Sequence, residues 1–303
     1  MHKNLFVSIS LAVLMATAST ATMAKAEQMK TLESTQISKN VSVITAGGIK
    51  LHTFHGISNS HIIETTNELR MVDAQMIFPH ANGLKKYVAS LGKPLKQIIL
   101  SHNHPDHWFG AEKFAGNVTI ATSANIAADL KSGGMRYVKG VAKNPKMKGI
   151  IPTEVIIPSA EITLGKQTWD GLEVIVEELV DQESHHSLLI KIPSIGVMIG
   201  QDLFYNNNFL VASERKRNAN WQKILESMQT NEAENYKTLL VGHGKNGGPD
   251  ILAQDIEYLK ALEATLAKGM SKEETEKALI AQFPDKGGKG MLGISMRNLF
   301  NGH

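Results

Sequence analysis

The stretch QIILSHNHPDHWFG, residues 97–110, joins a short apolar run to a cluster of metal-capable side chains. Residues 97–101 have the length and composition of a buried β-strand, so the cluster begins where that strand is expected to end. Burying imidazoles and a carboxylate without partners is costly, whereas a divalent cation takes neutral His and ionised Asp as ligands. The spacing His-x-His-x-Asp-His therefore predicts a metal site in the loop after the strand. Its members are His102, His104, Asp106 and His107.

The spacing of the cluster also suggests two adjacent metals. Alternation sends His102 and His104 to one side, while Asp106 and His107 can turn toward a neighbouring position. The chain contains no cysteine, so the metals would be held by His, Asp, Glu and water. An ordinary His-rich surface loop is the alternative interpretation. A helix is predicted over 108–114, with Asp106 as its N-terminal cap.

Outward from this stretch, short strands and amphipathic helices alternate in two successive halves. Strands followed by helices, twice over, predict an α/β fold: an αββα sandwich of two mixed β-sheets with helices on both outer faces. A glycine- and lysine-rich loop is expected over 133–149. The strands are predicted at 41–45, 49–54, 60–64, 69–73, 97–101, 118–121, 155–157, 161–164, 172–179, 187–192, 195–200 and 239–241, and further helices at 83–91, 124–131 and 249–268.

The first residues have the pattern of a secretory signal peptide. Residues 1–26 begin with Lys3, continue through an apolar segment at 5–16, and end in the small-x-small sequence Ala24-Lys25-Ala26. The apolar segment is shorter than the roughly 20 residues that span a bilayer. Cleavage after Ala26 would give a periplasmic or secreted protein with no remaining membrane attachment. Residues 27–303 are then expected to form a single domain, with a core at about 40–270 and a C-terminal extension at 271–303.

Composition argues against a nucleic-acid partner. The 32 basic and 29 acidic residues nearly balance, and no basic stripe interleaved with aromatic residues is present in the sequence. The expected partner is a small-molecule substrate, and the sequence does not indicate an oligomeric state. Without cysteine, an exported protein has no disulfides and depends on its core for stability.

The sequence His102-Asn-His104-Pro-Asp106-His107 resembles the signature of the metallo-β-lactamase superfamily, and the similarity extends over roughly 40–270. The resemblance implies further ligands downstream. Asp202, directly after the strand predicted at 195–200, matches the carboxylate that bridges two metals. His243 follows a late apolar strand and lies between two glycines that permit close backbone approach. His102 and His104 are thus expected on the first metal, and Asp106, His107 and His243 on the second.

The last ligand of the first metal departs from the commonest pattern of the superfamily. Most relatives have a His before the strand that precedes the bridging Asp. Counting back from Pro193 favours Glu183 here, as in the alkylsulfatase-like members, with His185 as the alternative. Three carboxylates and one bridging hydroxide would balance two divalent cations, so Glu183 would leave a buried site without net charge.

The resemblance implies two Zn²⁺ per chain, with iron or manganese also suited to this ligand set. A metal-bridging hydroxide would attack an ester-like bond in a lactone, a sulfate or phosphate ester, or a related small molecule, and Asp106 would pass a proton to the leaving group. The alternatives are a β-lactamase proper, an iron-dependent redox enzyme similar to the sulfur dioxygenases, or a binding protein without catalytic activity. Other candidate residues are Asp73, which would orient ligand histidines, and Trp108, Tyr205 and Asn206 near the substrate.

Overall fold

The structure is a computed structural model that describes residues 33–116 and 118–301, with side chains described from residue 39 to residue 300. The predicted signal peptide, residues 1–26, lies outside the described residues.

The first sheet contains eight strands that follow one another in chain order. The first five strands form an antiparallel meander, and the fifth to eighth run parallel to one another. Parallel strands end at the same edge of a sheet, so the loops that follow them lie close together. The strands are β1 (Glu33–Ser38), β2 (Val41–Ala46), β3 (Ile49–His55), β4 (Asn59–Glu64), β5 (Leu69–Val72), β6 (Leu95–Ile99), β7 (Thr119–Thr122) and β8 (Ala160–Glu161).

The second sheet contains five strands, in the order β13, β12, β11, β10, β9. Its last strand in sequence runs parallel to its neighbour, and the other pairs are antiparallel. The strands are β9 (Gly165–Trp169), β10 (Leu172–Val180), β11 (His186–Ile192), β12 (Val197–Tyr205) and β13 (Thr238–His243).

Seven α-helices are found in the described part of the chain, and none of them is both long and apolar enough to cross a membrane. They are α1 (Phe78–Ser90), α2 (Pro105–Trp108), α3 (Ala124–Ala142), α4 (Arg215–Asn231), α5 (Asp250–Leu266), α6 (Lys272–Gln282) and α7 (Lys289–Asn301).

The second sheet is buried on both faces, which defines the layers of the fold. Successive side chains of a strand point to opposite faces. Along β12, Val197 and Ile199 belong to a core shared with the first sheet, α1 and α3, whereas Met198 belongs to a core shared with α4 to α7. The order helix, sheet, sheet, helix confirms the predicted sandwich of two mixed sheets with helices outside.

The prediction of a loop over 133–149 is wrong, because α3 continues to Ala142 and only a short 3₁₀ turn, Pro145–Met147, follows it. Glycine is unfavourable in the interior of a helix, so a glycine-rich stretch is typical of a loop. At Gly134, however, an added Cβ would lie 2.8 Å from Val155, so glycine lets the helix pack closely against residues 152–157. Residues 155–157 form an irregular segment and not the predicted strand.

Two further segments differ in detail from expectation. The helix predicted over 108–114 is a short turn of α-helix that continues as a 3₁₀ helix, Phe109–Phe114. Asp106 lies inside its first turn, and His104 occupies the N-cap position. The C-terminal extension forms α6 and α7, which bury Leu279 and Met296 in the second core.

Candidate metal centre

The seven predicted metal ligands come together where both sheets end, although they lie on distant parts of the chain. Their nitrogen and oxygen atoms form two sets, and within each set they lie within 4.8 Å of one another; Asp73 forms a third such set with His102 and His107. The first ligand group is His102, His104, Glu183 and Asp202, and the second ligand group is Asp106, His107 and His243.

Asp202 lies inside a strand, not after one. The predicted strand ends at Gly200, but β12 continues to Tyr205. Its register with β13 shifts on either side of Gln201, which adopts a φ of 48°. Such a bulge re-aims the following side chain, so Asp202 turns out of the sheet toward the ligands. On the neighbouring strand, a Cβ at Gly242 would lie 1.8 Å from Asp202 Oδ1, and only glycine leaves room for the carboxylate.

In the first ligand group, Glu183 lies closest to His104. Glu183 Oε1 is 3.1 Å from His104 Nδ1, and Glu183 Oε2 is 3.9 Å from His102 Nε2. His185, the alternative ligand, points away from this cluster: its side chain is 59% exposed and pairs with Asp181 at 2.8 Å. The geometry therefore favours Glu183 over His185.

In the second ligand group, the two histidines face the same pair of carboxylates. His107 Nε2 is 3.1 Å from Asp202 Oδ1 and 3.5 Å from Asp106 Oδ2. His243 Nε2 is 3.3 Å from Asp202 Oδ2 and 3.2 Å from Asp106 Oδ2. Asp202 Oδ2 is also 3.9 Å from His102 Nε2, so this carboxylate lies between the two groups.

Hydrogen bonds behind the ligands fix the orientation of the imidazoles. The Nδ1 atom of His107 lies 2.6 Å from Asp73 Oδ2, and Asp73 also accepts from the Ser101 backbone N–H and hydroxyl. His243 Nδ1 donates to the carbonyl of Ile57 at 3.1 Å. Each contact leaves Nε2 turned toward the carboxylates, which is how metal-binding histidines are commonly held. Asp73 thus takes the orienting position expected for it.

Ser101 and Ile57 are contributors that the sequence analysis missed. The hydroxyl of Ser101 lies 2.9 Å from His102 Nδ1. Ser101 directly precedes the motif at the end of a predicted buried strand, and this position could have indicated that it contacts the ligands. Ile57 acts through its backbone carbonyl, for which a sequence carries no signal.

Of the residues expected near a substrate, Trp108 and Tyr205 are buried, whereas Asn206 lies at the surface. Trp108 is buried and donates from its indole N–H to the Asn103 carbonyl. Tyr205 is fully buried, and its hydroxyl donates to Asp202 Oδ2 at 3.0 Å. The Asn206 amide donates to the Lys245 carbonyl at the surface.

The ligand atoms have the chemistry of a site built for cations. His102 Nε2, His107 Nε2, Asp202 Oδ1 and both Glu183 carboxylate oxygens are buried without a hydrogen bond of acceptable geometry. Because His243 uses Nδ1 to donate, its neutral Nε2 would be an acceptor facing carboxylate acceptors. Burial lowers the pKa of His243, yet Asp202 and Asp106 raise it to about 10. A metal-free centre must therefore hold protons that cations would replace, and the residues present fit divalent metals.

One side of the centre is open. The side chains of His104 and Asp106 are 22% and 19% exposed, whereas those of the other five ligands are at most 6% exposed. Beside His104 lies Tyr137, with ring centroids 5.8 Å apart, and Arg217 donates to the backbone carbonyl of Glu183 at 2.6 Å. A substrate would therefore reach the centre past His104 and Asp106.

Comparison with known proteins gives one family and several similar folds. Residues 54–243 match the family model of the metallo-beta-lactamase superfamily, which is more than half of the chain. The chain is 25% identical to the uncharacterized protein YobT of Bacillus subtilis (strain 168) over 198 residues, which are 62% of this chain and 83% of YobT.

Solved structures with a similar fold include a stereoselective inverting sec-alkylsulfatase, Pisa1, from a Pseudomonas species. It is 16% identical with a TM-score of 0.58, and the match covers 89% of this chain and 50% of Pisa1, so the chain spans about half the length of that enzyme. A metallo-beta-lactamase from Pontibacter korlensis is 18% identical with a TM-score of 0.52, covering 76% of this chain and 99% of that structure. At these identities the similarity concerns the fold.

Proposed function

The chain belongs to the metallo-beta-lactamase superfamily, and from this premise we propose that it is an exported dinuclear zinc hydrolase that cleaves an ester-like bond. Members of this superfamily are typically hydrolytic metalloenzymes. The observation that carries the proposal is the pair of ligand groups that meet at Asp202, with buried ligand atoms that lack hydrogen-bond partners. Three carboxylates among the seven ligands suit two divalent cations.

The residues of the centre would have different roles in hydrolysis. When bound, the cations supply an acidified water and Lewis acidity at the attacked group. Asp106 is the ligand carboxylate at the open side, so it can accept a proton there and deliver it to the leaving oxygen. Asp73 and the Ile57 carbonyl keep the imidazoles of His107 and His243 in one orientation, so no rearrangement is required during the reaction.

Two guanidinium groups near the centre favour an ester that carries a negative charge, such as a sulfate or phosphate ester. Arg217 lies behind Glu183, and its buried Nε–H has no hydrogen-bond acceptor in the described part of the chain. Arg136 adds a second guanidinium, 5.7 Å from the ring of Tyr137. Guanidinium groups bind the oxygens of such esters through charge-assisted hydrogen bonds.

Metal-replete protein tested against sulfate esters, phosphate esters, lactones and β-lactams, with metal content measured on the same sample, tests this function. We expect turnover of a charged ester that a chelator abolishes and zinc restores. Asp106→Asn should lose turnover while retaining the fold, and His185→Gln, which alters an exposed histidine, should retain it. A zinc content near zero, or fully metallated protein inactive on the whole panel, would contradict the proposal. Oxygen uptake with a persulfide would favour the iron-dependent alternative.

Export is tested separately. Cell fractionation and N-terminal sequencing of the natural protein should find it outside the cytoplasm and beginning at Glu27. A protein retained in the cytoplasm with Met1 in place would contradict export and leave the hydrolase proposal intact.

A further inference from the structure

We propose that Tyr205 is a positioning residue that holds the carboxylate of Asp202 and the imidazole of His243 in their metal-binding orientation. This inference rests on the proposal that both residues bind metal. Tyr205 is fully buried, so it does not touch a substrate. Its hydroxyl donates to Asp202 Oδ2 at 3.0 Å, and its ring stacks on His243 with centroids 5.5 Å apart and planes at 22°.

The hydroxyl contact holds Asp202 so that its Oδ2 faces both ligand groups. Asp202 Oδ1 is directed at His107 Nε2, and Oδ2 is directed at His243 Nε2 and, at a longer distance, His102 Nε2. Asp202 can be shared by two cations only while Oδ2 stays between His243 of the second group and His102 of the first group. The phenol hydroxyl occupies one acceptor site of Oδ2 and so restricts rotation of the carboxylate. Without it, only packing and the contacts with the histidines would limit rotation of the carboxylate away from this position.

The ring contact follows from strand pairing. Tyr205 and His243 are register partners in the parallel pair of β12 and β13. The bulge at Gln201 turns Asp202 out of the sheet, and the strand then returns to its path, which brings Tyr205 back beside both ligands. One side chain therefore contacts a ligand of each group.

Tyr205 is itself held on its other sides. Its backbone N–H donates to the buried carboxylate of Asp255 on α5 at 2.9 Å. Its ring packs against Trp221 on α4 with centroids 6.0 Å apart, and the Trp221 indole donates to the Leu203 carbonyl at 3.0 Å. The phenol is therefore fixed before metal binds, as a residue that positions ligands requires.

The test removes only the hydroxyl. Tyr205→Phe keeps the ring and should weaken zinc affinity, measured by chelator competition on the full-length protein, about 10- to 100-fold. Tyr258→Phe is the matched control, because Tyr258 is equally buried and its hydroxyl has no hydrogen-bond partner in the described part of the chain. The control should change zinc affinity less than about twofold, and thermal melting should show that both metal-free variants remain folded.

A double-mutant cycle separates positioning from a merely structural role. If the hydroxyl acts through Asp202, adding Tyr205→Phe to Asp202→Asn should change zinc affinity less than about twofold. An unchanged zinc affinity in Tyr205→Phe, or an equal loss in both backgrounds, would overturn the inference. These outcomes are distinct from failure of the proposed function, in which the unaltered protein itself binds no zinc or hydrolyses no ester.

Discussion

Replacing Glu183 with Gln tests which residue completes the first ligand group. The substitution keeps the size of the side chain and removes its charge and its strength as a ligand. Glu183 is 2% exposed and approaches His104 to 3.1 Å, so the side chain is enclosed and bulk solvent does not contact it. Structural zinc sites with four ligands bind with about 10–16 kcal/mol in total, or about 3 kcal/mol per ligand. We therefore expect zinc affinity at one of the two sites to fall about 100-fold.

His185→Gln is the matched comparison, because it alters the rival residue two positions away. Its imidazole is 59% exposed and pairs with an exposed Asp181, so we expect zinc affinity to stay within about twofold of the unaltered protein. Zinc titration against a chromophoric chelator, together with the metal content after gel filtration, gives affinity and stoichiometry for both variants. Loss of one zinc in His185→Gln but not in Glu183→Gln would refute the assignment.

Three further perturbations test other parts of the structure. Gly242→Ala would place a methyl group 1.8 Å from Asp202 Oδ1, so we expect loss of bound zinc and about 1–3 kcal/mol of stability, measured by metal analysis and urea unfolding. Gly133→Ala is the control, because its Cβ would meet no atom within 4 Å, and it should keep both the bound zinc and the stability. Loss of zinc in Gly133→Ala, or retention of zinc in Gly242→Ala, would contradict the close contact of Gly242 with Asp202. Burial lowers the pKa of His61 to about 3, so the unfolded state binds more protons between that value and its ordinary 6.5. The free energy of unfolding is therefore unaffected by His61 above about pH 6.5 and falls as the pH drops toward 3, by up to about 1.4 kcal/mol per pH unit. In urea unfolding at a series of pH values, His61→Gln should reduce this dependence on pH. The same dependence in the variant and the unaltered protein would contradict the prediction. Leu279→Ala should cost about 2–5 kcal/mol of unfolding free energy if α6 belongs to the second core, and a change below about 0.5 kcal/mol would indicate an undocked extension.

Local pattern was sufficient where the chemistry is local. The motif from His102 to His107 lies within one loop, and its side chains are too costly to bury without a cation, so the metal site and family could be predicted directly. Asp202 and His243 were implied by the resemblance to the superfamily, with their positions after predicted strands in support. The sandwich followed from the alternation of strands and helices.

Tertiary contacts decided the rest. No local feature separates Glu183 from His185, and only the path of the loop between β10 and β11 buries the first and exposes the second. The glycines of α3 appeared to break a helix because their packing partner, Val155, lies far along the chain. Tyr205 was expected in a loop near the substrate, because the predicted strand ended before Asp202. The bulge that extends β12 past Asp202 depends on pairing with β13, so the local sequence did not show it.

Anomalous diffraction at the zinc absorption edge, from crystals of zinc-replete protein, tests the central claim most directly. We expect two zinc peaks about 3.5–4 Å apart. One peak should lie within the first ligand group and one within the second, with Asp202 contacting both. A single peak, a pair not shared by Asp202, or fully occupied zinc elsewhere in the chain would contradict the account.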